Sequence, residues 1–456
     1  MQIGVIIDKG PMDWQIIQQQ NGFGALSMSG RYVNTDKQGP LRVWFRVLRE
    51  ASSEPVIYWT PADTNSDGTW AARIDNIPAG GLYRIETCLR ADSTVNDDDS
   101  LRGDLRHHIG VGDLFVIAGQ SNASGFGRDF ITDEPQLGVH LLKNSGKWDL
   151  ATHPLNDSTD TVHEVNREPM MSGHSPFLSF GKYMKRELGY PIGLIAAALG
   201  ASPLDAWTPT GSGELLRSMM ETIAAAGNRI AGILWYQGCT DASSGTHADY
   251  LERFAAFVGF VRETLRDTVP FYTVQLNRRL DAVQPGWEAG HSGVREAQRQ
   301  AAKRLEKVYM VPALDGSLSD VIHNNAPFNV MLGERLAKMA LAREYGKPFY
   351  CDAPDFQSAT LRGSLLTLTV ANVTGRLEAY AALPQNLPLR VTDDQGTVEI
   401  ADYRVLHRSI ELDLARVPSG PCFISNAPGS NPPGWPIIDF GTHYPLVAFS
   451  NEKVER

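Results

Sequence analysis

Cysteine is scarce: four residues in 456, with no Cys-x-x-Cys pair, which argues against a structural zinc site or a dithiol redox motif. Cys88, Cys239, Cys351 and Cys422 stand far apart and read as buried free thiols; only Cys351 and Cys422 share an expected domain and could pair. No run of roughly eighteen apolar residues is present, so no membrane-spanning helix is expected. Basic surface is missing too. A net charge of −10, without any Lys/Arg cluster interleaved with aromatics, argues against nucleic acid as a partner. The start, Met1-Gln2-Ile3-Gly4-Val5-Ile6-Ile7-Asp8-Lys9, has no basic residue before its brief apolar run, so no secretory leader is read. A cytoplasmic location is expected if the sequence is complete, a secreted one if a leader was removed.

The composition, 42% hydrophobic and 21% charged, is that of a globular protein, and the length calls for two or three domains. Residues 1–108 read as a β-sandwich-like domain, with strand-like runs at Leu41–Val47 and Pro55–Trp59 and a hairpin signal at Asp67-Gly68. The stretch Asp63-Thr64-Asn65-Ser66-Asp67-Gly68 imitates the start of a calcium loop. The position that should supply a bidentate Glu is Ile74, so a turn is the better reading. Asp97-Asp98-Asp99 is likewise read as a solvated loop rather than a metal site.

Residues 109–349 alternate strands and helices. Short apolar strands are expected at Leu114–Ala118, Ile192–Ala197, Ile230–Tyr236, Phe271–Leu276 and Val308–Val311. Helices are expected over Pro176–Leu188, where Phe177, Phe180, Met184 and Leu188 fall at helical spacing before Gly189, over Glu214–Ala226, and near 247–267, 293–305 and 329–345. This alternation predicts an α/β fold, a parallel sheet covered by helices on both faces. The stretch 125–172 reads as a long irregular loop, and such loops are usually functional. Residues 350–456 return to β patterning, with Leu365–Val370 and a hairpin-like Val391–Ile400, and read as a second flanking β domain.

Three short segments each follow an expected strand: Gly119-Gln120-Ser121-Asn122, Gly200, and Gln237-Gly238. A parallel sheet brings them to one edge, where ligands of open α/β sheets bind. A fourth, Ser319-Asp320-Val321-Ile322-His323-Asn324, precedes the last helix. On one tight turn the Asp320 carboxylate can reach one nitrogen of His323 while the other faces Ser121, which is what a serine nucleophile needs. Each piece also has a plain reading: a polar turn at Ser121, a helix cap at Asp320 or His323, a turn glycine at 200, a satisfied core amide at Gln237.

Together, Ala118–Ala123, Ile192–Ile195 with Gly200 through Trp207, Trp235–Gly238 with Asp241, and Asp320-x-x-His323 resemble the four blocks of the SGNH hydrolase superfamily. The similarity is to its sialate O-acetylesterase branch of carbohydrate esterases. It implies a central three-layer α/β/α SGNH-type domain flanked by β domains. It further implies Ser121 as nucleophile, His323 as base and then acid, and Asp320 as its orienting partner. The oxyanion hole would combine the N–H groups of Ser121 and Gly200 with the side-chain amide of Gln237. The implied reaction is removal of O-acetyl groups from carbohydrates, sialates first, through an acetyl-enzyme, with no metal or organic cofactor. Two departures stand out: Cys239 where the branch commonly has Glu, and Ala201 where a second Gly is frequent.

An acetyl-xylan or other plant-polysaccharide esterase would use the same machinery, and an inactive glycan-binding protein is the reading from another class. A lipase-like α/β hydrolase is disfavoured, because Ala123 stands where the nucleophile elbow needs Gly. For substrate contacts, Trp207 is expected near the site, to stack on a sugar or to serve as a core tryptophan. Arg278 and Arg279 leave the sheet at the same edge, to bind a sialate carboxylate or to pair with surface acids.

Overall fold

The computed structural model describes residues 4–33, 40–91 and 100–456; Asp97-Asp98-Asp99 lies outside them. The organising strand is Leu101–Gly119. Its first half pairs antiparallel with Gly80–Ala91, and its second half runs between two parallel partners, Ile192–Ala196 and Gly232–Tyr236. One strand thus crosses residue 108 without a break and belongs to both the amino-terminal and the central sheet.

Across the central sheet the order is Trp148–Leu150, Val139–Leu142, Ile192–Ala196, Leu101–Gly119, Gly232–Tyr236, Phe271–Gln275, Val308–Pro312, all parallel except the first pair. After the serine strand the chain builds outward on one side, then returns to build on the other. The carboxyl end of the serine strand is therefore the switch point of an open α/β sheet, where a crevice forms. Residues 125–172, expected to be irregular, contain the strands Val139–Leu142 and Trp148–Leu150.

Helices cover both faces, which is why the strands are apolar throughout. On one face Phe115 meets Phe180 of the helix Phe177–Leu188, ring centroids 4.9 Å apart. On the other, Trp235 and Phe271 pack on Phe254 and Phe257 of the helix Tyr250–Leu265. The first of these helices ends on Gly189 with φ 77°, the left-handed cap that glycine adopts without penalty. The helix expected near 293–305 starts earlier and runs Trp287–Arg304; the last is Ala326–Glu344, capped by the Asn325 side chain accepting from the Phe328 N–H. Among the described residues no helix is long and apolar enough to cross a membrane.

The amino-terminal strands form two layers, antiparallel except where Ile16–Gln18 runs parallel to Leu101–Gly119, around Val5, Met28, Val43, Phe45, Trp70, Ile74 and Ile85. In the Asp63–Gly68 stretch Asp63–Thr64 is a short strand, and the turn that follows it is closed by the Asp67 carboxylate accepting from the N–H and hydroxyl of Thr69. The carboxyl-terminal strands form antiparallel sheets around Leu366, Leu368, Val391, Ile410 and Ile424. They are pinned to the central part by Arg295, fully buried, which donates to the carbonyls of Leu276, Asn277 and Gly429. All four cysteines are free and buried, so Cys351 and Cys422 do not pair.

Candidate active site

Gly119 ends the serine strand with φ 122°, and a Cβ there would fall 2.3 Å from the Tyr236 carbonyl oxygen. Only glycine lets the two strand ends come that close. The chain then turns into the single-turn helix Ser121–Ser124, which presents Ser121 at the sheet edge. The Oγ of Ser121 lies 2.8 Å from Nε2 of His323, and Nδ1 of His323 lies 2.7 Å from Oδ2 of Asp320. The other carboxylate oxygen of Asp320 accepts the N–H groups of Ile322 and His323, each at 2.8 Å.

Burial works to raise the Asp320 pKa, but the hydrogen bonds from His323 and the two backbone N–H groups prevail and hold it below the ordinary carboxylate value. An ionised Asp320 can only accept, so Nδ1 of His323 carries a proton and Nε2 is left to accept from the Ser121 hydroxyl. The imidazole is fixed from its sides as well. Phe126 stacks on it at 4.9 Å, tilted 26°. Asn122 Oδ1 accepts the Asn324 N–H, and Asn277 donates to the Ile322 carbonyl and to Asn324 Oδ1.

Ser121 and His323 open into a cleft of about 430 Å³, lined also by Gln120, Phe126, Glu168, Met170, Gly200, Cys239 and Arg279. That volume suits a small ligand. Burial pushes the Cys239 thiol up to about 11, against the pull of Arg279 and Arg295. Ala201 has φ 56°, a left-handed backbone in which an L-residue is strained, which explains why glycine would sit there easily.

For several positions the geometry decides between the readings held open. Gln237 is fully buried; its amide donates to the Ser202 carbonyl at 3.1 Å and to Asp241 Oδ2 at 2.6 Å, and its Oε1 accepts from the Tyr250 hydroxyl. Both amide protons are used inside the core, so no proton faces the cleft. Trp207 is also fully buried, packed on Trp235 and donating to Ser202 Oγ, which leaves no ring face for a sugar. Arg278 is spent on the carbonyls of Leu314, Pro432 and Gly434. Arg279 does line the cleft, but it forms a bidentate pair with Asp281, donates to Ser243 Oγ and lies 3.6 Å from the Trp287 ring centroid. Gly200 is at the cleft, and its N–H donates to the Glu168 carboxylate at 2.8 Å.

Glu168, Phe126 and Asn277 were not anticipated. Asn122 lay inside the quoted motif, and its hydrogen bonds to the Ile322–Asn324 segment could have been sought there; Glu168 carried no sequence signal. Among the described residues two groups have metal-ligand chemistry, Asp133–His153–His174 and Glu50–His107–His108. In the first, the Lys182 ammonium already donates to Asp133 at 2.6 Å, so the cluster is a charge-paired latch. Neither group lines the cleft.

A family model for carbohydrate esterases described as sialic acid-specific acetylesterase matches residues 111–342, the whole central sheet beyond its first strand half. The sialate O-acetylesterases of Homo sapiens and Pongo abelii are each 24% identical over 283 residues, covering 51% of this chain and 51% of the relative. The chain thus spans about half the length of the curated relatives it matches. The fold as a whole resembles that of a carbohydrate acetylesterase from Xanthomonas citri, with a TM-score of 0.67 at 19% identity over 97% of this chain and 99% of that one. With the matched segment covering half of the sequence and enclosing Ser121, Gly200, Asp320 and His323, the chain belongs to the sialic acid-specific acetylesterase family of carbohydrate esterases.

Proposed function

We propose that this protein is a serine esterase that removes O-acetyl groups from carbohydrates by way of an acetyl-enzyme. The observation that carries this reading is the continuous hydrogen-bonded chain Ser121–His323–Asp320 at the mouth of a cleft. In it His323 Nε2 takes the Ser121 proton as Oγ attacks the acetyl carbonyl, and the imidazolium is stabilised by Asp320. The sugar oxygen leaves with that proton, and water then repeats the sequence on the acetyl-enzyme. The tetrahedral oxygen falls first to the backbone N–H of Ser121; the Gly200 N–H, which in the resting site donates to Glu168, joins it by exchanging that acceptor for the oxyanion, while the Gln237 amide is committed in the core. The reaction calls on no metal or organic cofactor. The division of the chain into parts 1–108, 109–349 and 350–456 belongs to the same proposal, with the chemistry in the middle part.

Sialate as the sugar draws support from the names of the curated relatives. Acetylated xylan or another neutral plant polysaccharide is the second reading. It is favoured by Arg278 lying outside the cleft lining and by Arg279 already being paired with Asp281. Hydrolysis of a chromogenic acetate ester by the pure protein tests the esterase reading, and glycan binding without turnover would replace it by that of an inactive binding protein.

A further inference from the structure

The carboxylate of Glu168 is held inside the cleft, about one-tenth exposed, beside Ser121 and His323. Its Oε2 accepts from the Gly200 N–H at 2.8 Å and from Asn156 Nδ2 at 3.2 Å, and its backbone N–H donates to Ser158 Oγ. A Cβ on residue 200 would lie 2.4 Å from Oε1, so the absence of a side chain there leaves room for the carboxylate. The donors that hold it are neutral. Among the described residues lining the cleft, Arg279 is the one permanently charged cation, and Asp281 already neutralises it through two hydrogen bonds. An anionic sugar entering this cleft would meet a fixed like charge with no unpaired cation to offset it, inside walls that weaken screening.

Resting on the acetylesterase reading, we propose that Glu168 is a specificity-determining residue that makes the cleft select acetylated sugars without a carboxylate over acetylated sialic acids. Burial raises the pKa of Glu168, against the hydrogen bond from Gly200 and the field of His323. The selection is therefore best read at mildly alkaline pH, where the group is ionised. The like-charge penalty falls on binding of the anionic substrate, so it belongs in KM and leaves the neutral substrate's KM in place.

The test compares kcat/KM for acetylated xylose, for acetylated sialic acid and for the methyl ester of that sialic acid, with the wild-type protein and with Glu168→Gln. Wild type should prefer the methyl ester to the free acid by roughly tenfold, the scale of one like-charge contact in a partly buried site. In E168Q that preference should shrink severalfold. Taking the ratio within one preparation cancels any loss of folded protein, and the wild-type comparison stands even if the variant does not fold. Equal rates for free acid and methyl ester in wild type, or an unchanged ratio in E168Q, would overturn the role of Glu168 while leaving the esterase reading intact. No turnover of xylose acetate, sialate ester or a chromogenic acetate would overturn both.

Discussion

The side-chain amide of Gln237 donates a 2.6 Å hydrogen bond to Asp241, a carboxylate with no exposure that also accepts the Leu204 N–H and is paired with Arg253. Gln237 thus ties the loop after one strand to the loop after another, beneath the cleft rather than in it. Replacing it with Ala takes one of two donors from Asp241 Oδ2, the side-chain donor from the Ser202 carbonyl, and from the Tyr250 hydroxyl the shorter of its two acceptors, at a cost of about 0.5–1.5 kcal/mol for each buried hydrogen bond lost. Gln237→Ala is expected to lower Tm clearly in a thermal melt. An unchanged Tm with a kcat lower by about 10²–10³ would return this amide to the oxyanion hole.

Phe126 stacks on the face of His323 and is itself covered by the Arg128 guanidinium, 5.1 Å from its ring centroid. An aromatic contact of this kind is worth about 0.5–1.5 kcal/mol, so Phe126→Ala should cost roughly two- to tenfold in kcat by loosening the imidazole. Phe126→Leu should restore part of it. Steady-state kinetics on a small acetate ester, where sugar contacts play no part, is the measurement, and full activity in F126A would show that the hydrogen bonds alone hold His323.

Asp133 gathers His153 and His174, each at 3.0 Å, and Lys182 at 2.6 Å, fastening the stretch after Phe126 to the helix Phe177–Leu188. Burial opposes its charge, yet the hydrogen bonds from these three residues hold its carboxyl far below the usual range. A folded-state pKa depressed in this way contributes stability above the unfolded carboxylate value, and that contribution is lost as pH falls through lower values. Asp133→Asn should therefore lower Tm strongly at neutral pH, by the equivalent of about 3–5 kcal/mol, and the gap to wild type should narrow in acid. A gap independent of pH would mean that Asp133 acts by packing rather than charge.

The grouping of Ser121, Gly200, Asp320 and His323 was legible in the sequence because each follows an apolar strand or precedes a helix, and topology then fixes the edge on which they meet. Residue type was a poorer guide to side-chain direction. Gln237 and Trp207 occupy motif positions beside the cleft, but the strand pleat and the turn after Leu204 send both inward, where buried partners were available. Arg278 likewise found carbonyls of the carboxyl-terminal segment, a contact between parts of the chain 154 residues apart that no local pattern announces. The strand Val139–Leu142 was missed because His140 interrupts its apolar run, although that imidazole is itself buried against the Trp14 carbonyl. Glu168 lies in irregular backbone without periodicity, and its place in the cleft depends on the folding of the whole loop.

The most direct test is to mix the protein with a chromogenic acetate ester under single-turnover conditions and to locate the acetyl group by peptide mass spectrometry. Wild type should release one equivalent of alcohol in a burst and carry acetyl on the peptide containing Ser121. Ser121→Ala, with its Tm unchanged, should show neither burst nor adduct and should lose several orders of magnitude in kcat. Substantial turnover by a clean S121A preparation, or acetyl found on another residue of the wild type, would contradict the assignment of Ser121 as the nucleophile.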